Sequence, residues 1–175
     1  MPIVTDVLQI LRQAQQNAYY SINRAMVEAY WLVGKRIVEE EQQGESKAAY
    51  GKYIIRDLSE QLQKEFGKGF SVRNIEQMRI FFLEYQIAQT VSAQSDMISE
   101  TVSRIFKTPD FQLSWSHYQI LIRIEDKDER RFYEIEAIQN KWSLRELKRQ
   151  FDSALYMLMK IKQLALFFVA IKAKP

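Results

Sequence analysis

The chain has 175 residues, 47% of them apolar, with five glycines and three prolines. That length supports one sizeable core or two small units sharing one, and few breakers beside abundant Leu, Gln, Glu, Lys, Arg and Ala favour an all-α fold over many short strands. The chain has no cysteine, which excludes disulfides and thiolate metal sites, and the net charge of +3 conceals an uneven distribution. From Lys141 to Pro175 there are eight basic and two acidic residues, net +6, whereas the first 140 residues carry net −3. A basic C-terminal third suits phosphates or acidic headgroups, and equally suits a solvated helix face.

The first predicted element is a long helix from Asp6 to Glu41. Apolar or small residues recur at Val4, Leu8, Leu11, Ala18, Ile22, Ala25, Ala29, Leu32 or Val33, and Ile37, mostly in steps of three and four. Such a stripe needs a partner, either a bundle helix of the same chain, which is favoured, or a second copy, for which the heptad character of Ala18 to Leu32 argues. The start of the chain carries Asp6 and lacks a basic segment followed by an apolar run, so no secretory signal is expected and the cytoplasm is the expected compartment.

The acidic run Glu39–Glu40–Glu41 sits unfavourably near the C-terminal dipole of that helix. A second helix is predicted over about Lys47 to Phe66, with Tyr50, Ile54, Leu58, Leu62 and Phe66 at steps of four, and Gly67 as its left-handed cap. A third follows from Ser71 to about Gln89, burying Val72, Ile75, Met78 and Phe82 and leaving Arg73, Asn74, Gln77 and Arg79 at the rim. Thr90 to Phe111 loses periodicity and reads as a connection holding one or two short helices, closed by Pro109. Three further helices are predicted over Leu113 to Arg123, Asp126 to Asn140 and from Ser143 onward. Asp126 with Glu129, and Ser143 with Glu146, have the spacing of capping boxes. The tail at 157–175 is apolar and flanked by lysines, and its uninterrupted part is shorter than the roughly 20 residues of a membrane span. It reads as a partner surface, an interfacial segment or a link to a further domain.

Two of the predicted helix starts repeat one pattern: Phe70-Ser71-Val72-Arg73 and Trp142-Ser143-Leu144-Arg145. In each the serine suits the cap, the aromatic ahead of it fixes the entry angle, and a short turn and an amphipathic segment precede it. Helix, tight turn, helix is the outline of a helix-turn-helix, expected over 47–89 and again over 113–156. In the first copy Arg73 suits phosphate or a guanine edge, Asn74 and Gln77 suit adenine, and Lys68 suits the backbone, with Ser71 as cap and Arg79 as a further candidate contact at the rim. The second, more basic copy offers Lys141, Arg145, Lys148 and Arg149 to phosphates. Double-stranded DNA is the partner these residues imply. The competing reading makes the arginines helix braces and the domain a protein-interaction or dimerisation module without direct DNA contact.

Catalytic chemistry is not legible in the chain. The carboxylates Asp126, Asp128, Glu129, Glu134 and Glu136 interleave with Lys127, Arg130 and Arg131 at helical spacing and read as a salt-bridged face rather than a metal site. His117, the one histidine, has no triad or ligand pattern around it and reads as structural. Gly67-Lys68-Gly69 lacks the spacing of a phosphate-cradling loop. No catalytic residue, metal ligand or cofactor is assigned.

The stretches Tyr30-Trp31-Leu32-Val33-Gly34-Lys35-Arg36-Ile37-Val38, Phe66 to Asn74, Met78-Arg79-Ile80-Phe81, Leu113 to Tyr118, Arg131 to Glu134 and Trp142 to Leu147 occur in the order found in the N-terminal domain of the YhcG family, which the chain resembles over about residues 10 to 156. Proteins of that family are regarded as PDDEXK-type nucleases. The resemblance implies an all-helical, non-catalytic domain (1–156) thought to bind DNA, set ahead of a C-terminal nuclease domain that would begin beyond this chain. The family's nuclease carboxylates and lysine have no counterparts here. The departure begins near Tyr156, where a polar continuation is expected and Met157-Leu158-Met159-Lys160 stands instead.

Overall fold

The computed structural model of the protein describes residues 2–43, 48–92 and 109–172. Its described elements are seven α-helices and one 3₁₀ turn, and no strand occurs among them. The helices are α1 (Pro2–Gln43), α2 (Ala48–Phe66), α3 (Val72–Ser92), α4 (Trp115–Leu121), α5 (Lys127–Gln139), α6 (Leu144–Asp152) and α7 (Leu155–Lys172), and the 3₁₀ turn spans Lys68–Phe70. The all-α expectation holds. The chain divides into two compact units, Met1–Trp115 and Ser116–Pro175.

The first unit is built on α1 and α3. At about 1.5 Å per residue the 42 residues of α1 span about 63 Å, yet its core contribution begins only at Val27. From there Val27, Trp31, Ile37 and Val38 are buried, and Gly34 lets the backbones of α1 and α3 meet. Facing them on α3 are Ile75, Met78, Phe81, Phe82 and Tyr85. Ile37, Ile55 and Ile75 join the three helices in one cluster, with Val33, Leu58, Leu62 and Phe70 packed against it. A second, aromatic cluster brings Trp31 to 4.9 Å from Phe82 and Phe81 to 4.9 Å from Phe111, with Trp115 at 5.3 Å from Phe81.

Several expected burials differ. The stripe from Val4 to Ala29 is not the intramolecular face, because its residues are exposed and the core takes Val27, Trp31, Gly34 and Val38 instead. Val72 and Phe66 are exposed, and the core face of α2 adds the buried Ile55 and Ser59 to the predicted Leu58 and Leu62, which pack against the cluster. α3 runs through Thr90 to Ser92, because nothing in Thr90-Val91-Ser92 breaks a helix. The short helices expected within 93–108 fall outside the described residues.

The acidic end of α1 has its charges matched. Lys35 lies 3.8 Å from Glu39, Arg36 2.6 Å from Glu40, and Arg79 of α3 clasps Glu41. These partners offset the unfavourable dipole position.

The second unit packs Tyr118, Leu121, Ile122, Ile124, Tyr133, Ala137 and Leu147 in its core. Asp126 caps α5, accepting from the backbone N–H groups of Asp128 at 2.8 Å and Glu129 at 3.0 Å. Those bonds, that from Glu129 foremost, hold its carboxyl below the usual carboxylate range. Arg130, buried, donates from Nε and Nη2 to the Ile124 carbonyl and so fixes the α4–α5 loop. Tyr133 stitches the next junction: its hydroxyl donates to the Gln150 carbonyl of α6 and accepts from the Tyr156 N–H of α7.

Candidate nucleic-acid interface

The first candidate surface is the turn between α2 and α3. α2 ends where the Gly67 N–H bonds the Gln63 carbonyl at 3.1 Å, and Gly67 takes φ 85° and ψ −169°. The φ is positive, as a left-handed cap requires, but the ψ places Gly67 in a region essentially restricted to glycine, because the chain goes straight into the 3₁₀ turn. That turn is fastened from both sides. Ser59 of α2, buried, donates its hydroxyl to the Phe70 carbonyl at 2.9 Å and accepts from Gln63. From α3, the Asn74 amide donates to the Gly69 carbonyl at 2.6 Å, while its oxygen accepts the Trp115 indole N–H at 2.9 Å.

Ser71 is the cap that the sequence indicates. Its hydroxyl accepts the Asn74 N–H at 3.3 Å and its carbonyl accepts the Ile75 N–H. The Phe70 ring ahead of it packs on Phe66 and Tyr30, which sets the entry angle of α3. Lys68 and Arg73, one in the turn and one in the first turn of α3, are both exposed and have no ion-pair or hydrogen-bond partner among the described residues. The N-terminal end of α3 adds its partial positive charge to theirs.

The other predicted contacts of this unit lie differently. Asn74 is half-buried with its amide engaged at both ends, and Gln77, a helical turn beyond Arg73, is also half-buried. Arg79 directs its Nε to both carboxylate oxygens of Glu41, at 2.9 and 2.7 Å, binding α3 to α1.

The second candidate surface lies on the α5–α6 turn of the other unit. α5 closes in a Schellman motif, Trp142 N–H to Ala137 carbonyl and Lys141 N–H to Ile138 carbonyl, with Lys141 at φ 51°. Ser143 then caps α6, its hydroxyl accepting from the Glu146 N–H at 3.2 Å. Glu146 reaches forward rather than back to Ser143: Arg149 donates to it at 2.6 Å and Gln150 at 2.7 Å. The Arg149 bond first, with that from Gln150, holds the Glu146 carboxyl below its ordinary range. Lys141, Arg145 and Lys148 are exposed with no ion-pair partner among the described residues, and Leu147 on the opposite face of α6 is buried. Spacing of three and four places Arg145, Lys148 and Arg149 on one face of α6.

His117 is half-buried, with Nε2 3.1 Å from the Trp142 carbonyl oxygen. Burial lowers its pKa and the carbonyl bond raises it to a smaller extent. It thus supports the turn on which the second surface is mounted. Among the described residues no group of three His, Asp or Glu side chains is arranged to hold a metal ion. Also among them, no helix is long and apolar enough to cross a membrane. The fastenings by Ser59, Trp115 and Glu41 have no signature in sequence, because each joins residues that only the packing of helices brings together.

Residues 6–158 match the family described as the DUF1016 N-terminal domain. The chain is 34% identical over 164 residues to the Escherichia coli K12 protein named "Putative nuclease YhcG", covering 86% of this chain and 44% of that protein. It thus spans less than half the length of that relative. No solved structure matches the chain. With the helical architecture, the two Ser-capped turns and a match over nearly its whole length, the chain belongs to the family of the DUF1016 N-terminal domain, the N-terminal domain of YhcG.

Proposed function

We propose that this chain is a non-catalytic, cytoplasmic DNA-binding module that targets the catalytic half of a YhcG-type nuclease to double-stranded DNA. The observation that carries the reading is the α2–α3 turn. It is fastened by Ser59 and Asn74 so that Lys68 and Arg73 stand exposed at the positive end of α3. A rigid turn holding two cations at a helix N-terminus meets a phosphate backbone with little ordering cost. The helix-turn-helix reading makes α3 the recognition helix, with Gln77 on its groove side. Asn74 and Arg79 act by holding α3 in position. In the second unit Lys141, Arg145, Lys148 and Arg149 contact the backbone at the α5–α6 turn, and the word nuclease in the name of the E. coli relative supports a nucleic acid as the polymer.

Binding to duplex DNA measured across rising salt tests the proposal. Affinity should fall log-linearly with salt, and Lys68→Ala and Arg73→Ala should each reduce the slope by about 1 without changing thermal unfolding. Absence of binding at low salt, or equal losses of binding and stability in both variants, overturns it. Added Mg²⁺ or Mn²⁺ should produce no cleavage by this chain.

A further inference from the structure

The exposed part of α1 carries a second apolar seam that the fold does not use. Val4, Leu8, Leu11, Gln15, Ala18, Ile22, Ala25, Ala29 and Leu32 follow one another in strictly alternating steps of four and three, the a/d spacing of a coiled coil. Ala25 and Val27 are two residues apart, about 200° around a helix that turns about 100° per residue. The seam therefore lies on the side of α1 opposite Val27, Trp31, Gly34 and Val38, which face α3. It is not a prolongation of the core. Val4, Leu8, Leu11 and Ile22 are 54%, 46%, 57% and 65% exposed, and Ala18, Ala25 and Ala29 are exposed as well.

We propose that this seam is closed by the same segment of a second copy of the chain, in antiparallel register about a point between Gln15 and Ala18. The sizes along the seam select that pairing. Set antiparallel, Val4 meets the partner's Ala29, Leu8 the partner's Ala25, Leu11 the partner's Ile22 and Gln15 the partner's Ala18. Every layer then sets a larger side chain against a smaller one or two aliphatics against each other, and each Gln15 lies against a methyl group rather than another amide. Set parallel, Ala18, Ala25 and Ala29 would stack on their own copies and leave half the seam thin, with Gln15 against Gln15. The antiparallel register also puts Arg12 beside the partner's Tyr19, an exposed ring that suits a cation over its face. Asp6, Arg12, Arg24 and Glu28 are the charged side chains between Val4 and Ala29, two of each sign, so two copies meet with little repulsion. Overlap from Val4 to Ala29 is about 39 Å long. Two helices in contact over that length bury on the order of 1,200–1,600 Å² in total, within the range of stable interfaces.

The chain has no cysteine, so introduced thiols report only designed proximities. Sedimentation of the full chain at micromolar concentration should give a dimer. Leu11→Glu with Ile22→Glu should convert it to a monomer, while the near-ultraviolet signature of Trp31 and Trp115 persists because the core of the first unit is untouched. Under mild oxidation the double variant Leu8→Cys, Ala25→Cys should cross-link to a covalent dimer, and neither single variant should do so alone. A monomeric wild type would overturn the proposal and leave the seam to another segment or partner. A dimer that survives Leu11→Glu with Ile22→Glu would also overturn it, as would cross-linking by Leu8→Cys alone as efficient as by the pair.

Discussion

Two glycines constrain the first unit for opposite reasons. A Cβ on Gly34 would lie 2.1 Å from the Met78 carbonyl oxygen, 2.7 Å from its carbon and 2.9 Å from the Phe82 Cβ. Those are backbone and near-backbone atoms, which cannot swing aside, so α1 and α3 would have to part. Intrinsic propensity favours alanine over glycine in a helix by about 1 kcal/mol, but overpacking at such a contact costs about 1–3 kcal/mol and has the larger claim where no side chain can yield. Gly34→Ala should therefore destabilise the first unit by up to about 2 kcal/mol net, read as a lower midpoint in urea or thermal unfolding. Gly69 has open space at its Cβ position and no positive φ, so Gly69→Ala should leave the midpoint nearly unchanged. Equal effects of the two substitutions would show that the α1–α3 approach is not the constraint. Gly67 differs from both: space is open, and it is the backbone at φ 85° that demands glycine.

At the scale of elements, what a sequence discloses depends on how local the chemistry is. Asp126, Ser71 and Ser143 were legible as caps because each bonds a backbone group within three residues. The turn at Lys141 was legible too, as Gln139-Asn140-Lys141 between two helical patterns, whereas the one at Ala154 was not, because it takes the left-handed conformation, at φ 53°, without the glycine that ordinarily marks it. The boundary between α6 and α7 was missed for that reason: nothing in Ser153-Ala154 breaks a helix, and it is Tyr133, from α5, that bonds both sides of the junction. The two faces of α1 were confounded because Ala25, Ala29 and Leu32 interleave with Val27, Trp31 and Gly34, and periodicity alone does not tell which stripe meets the core. At the candidate interface the cations were legible, whereas the engagement of Asn74 and Arg79 with Trp115 and Glu41 depends on tertiary packing. The left-handed alanine gives a signed prediction. A non-glycine residue there costs about 1–2 kcal/mol, and glycine returns about 0.4–1 kcal/mol of that through greater freedom of the unfolded chain. Ala154→Gly should thus stabilise the second unit by about 0.5–1 kcal/mol, seen as a raised unfolding midpoint. A lowered midpoint would mean that the methyl group contributes packing not apparent at this exposed position.

For the whole molecule, the two proposals together set a distance. Tyr30 packs against Phe70 of the α2–α3 turn, with ring centroids 6.2 Å apart, and it lies between 13 and 14 residues from the midpoint of the proposed seam. Doubling that interval at 1.5 Å per residue separates the Tyr30 residues of two antiparallel copies by about 40 Å along α1. One turn of duplex DNA is about 34–36 Å, so on both proposals this axial separation brings the two turns within reach of one duplex. Two linked contacts raise apparent affinity by up to about 10²–10⁴ without any new contact, provided both are engaged at once. The dimer should accordingly bind a duplex of about 30 base pairs at least tenfold tighter than one of about 10, which is too short for both turns. The Leu11→Glu, Ile22→Glu monomer should bind the two duplexes alike, apart from the greater number of sites on the longer one, and with the affinity of the wild type for the short one. Titrations at a single fixed salt concentration measure this directly, since each cation removed or added would otherwise shift the comparison. If the monomer gains as much from the longer duplex as the dimer does, the gain belongs to contacts within one chain, and the seam has no part in how the molecule holds DNA.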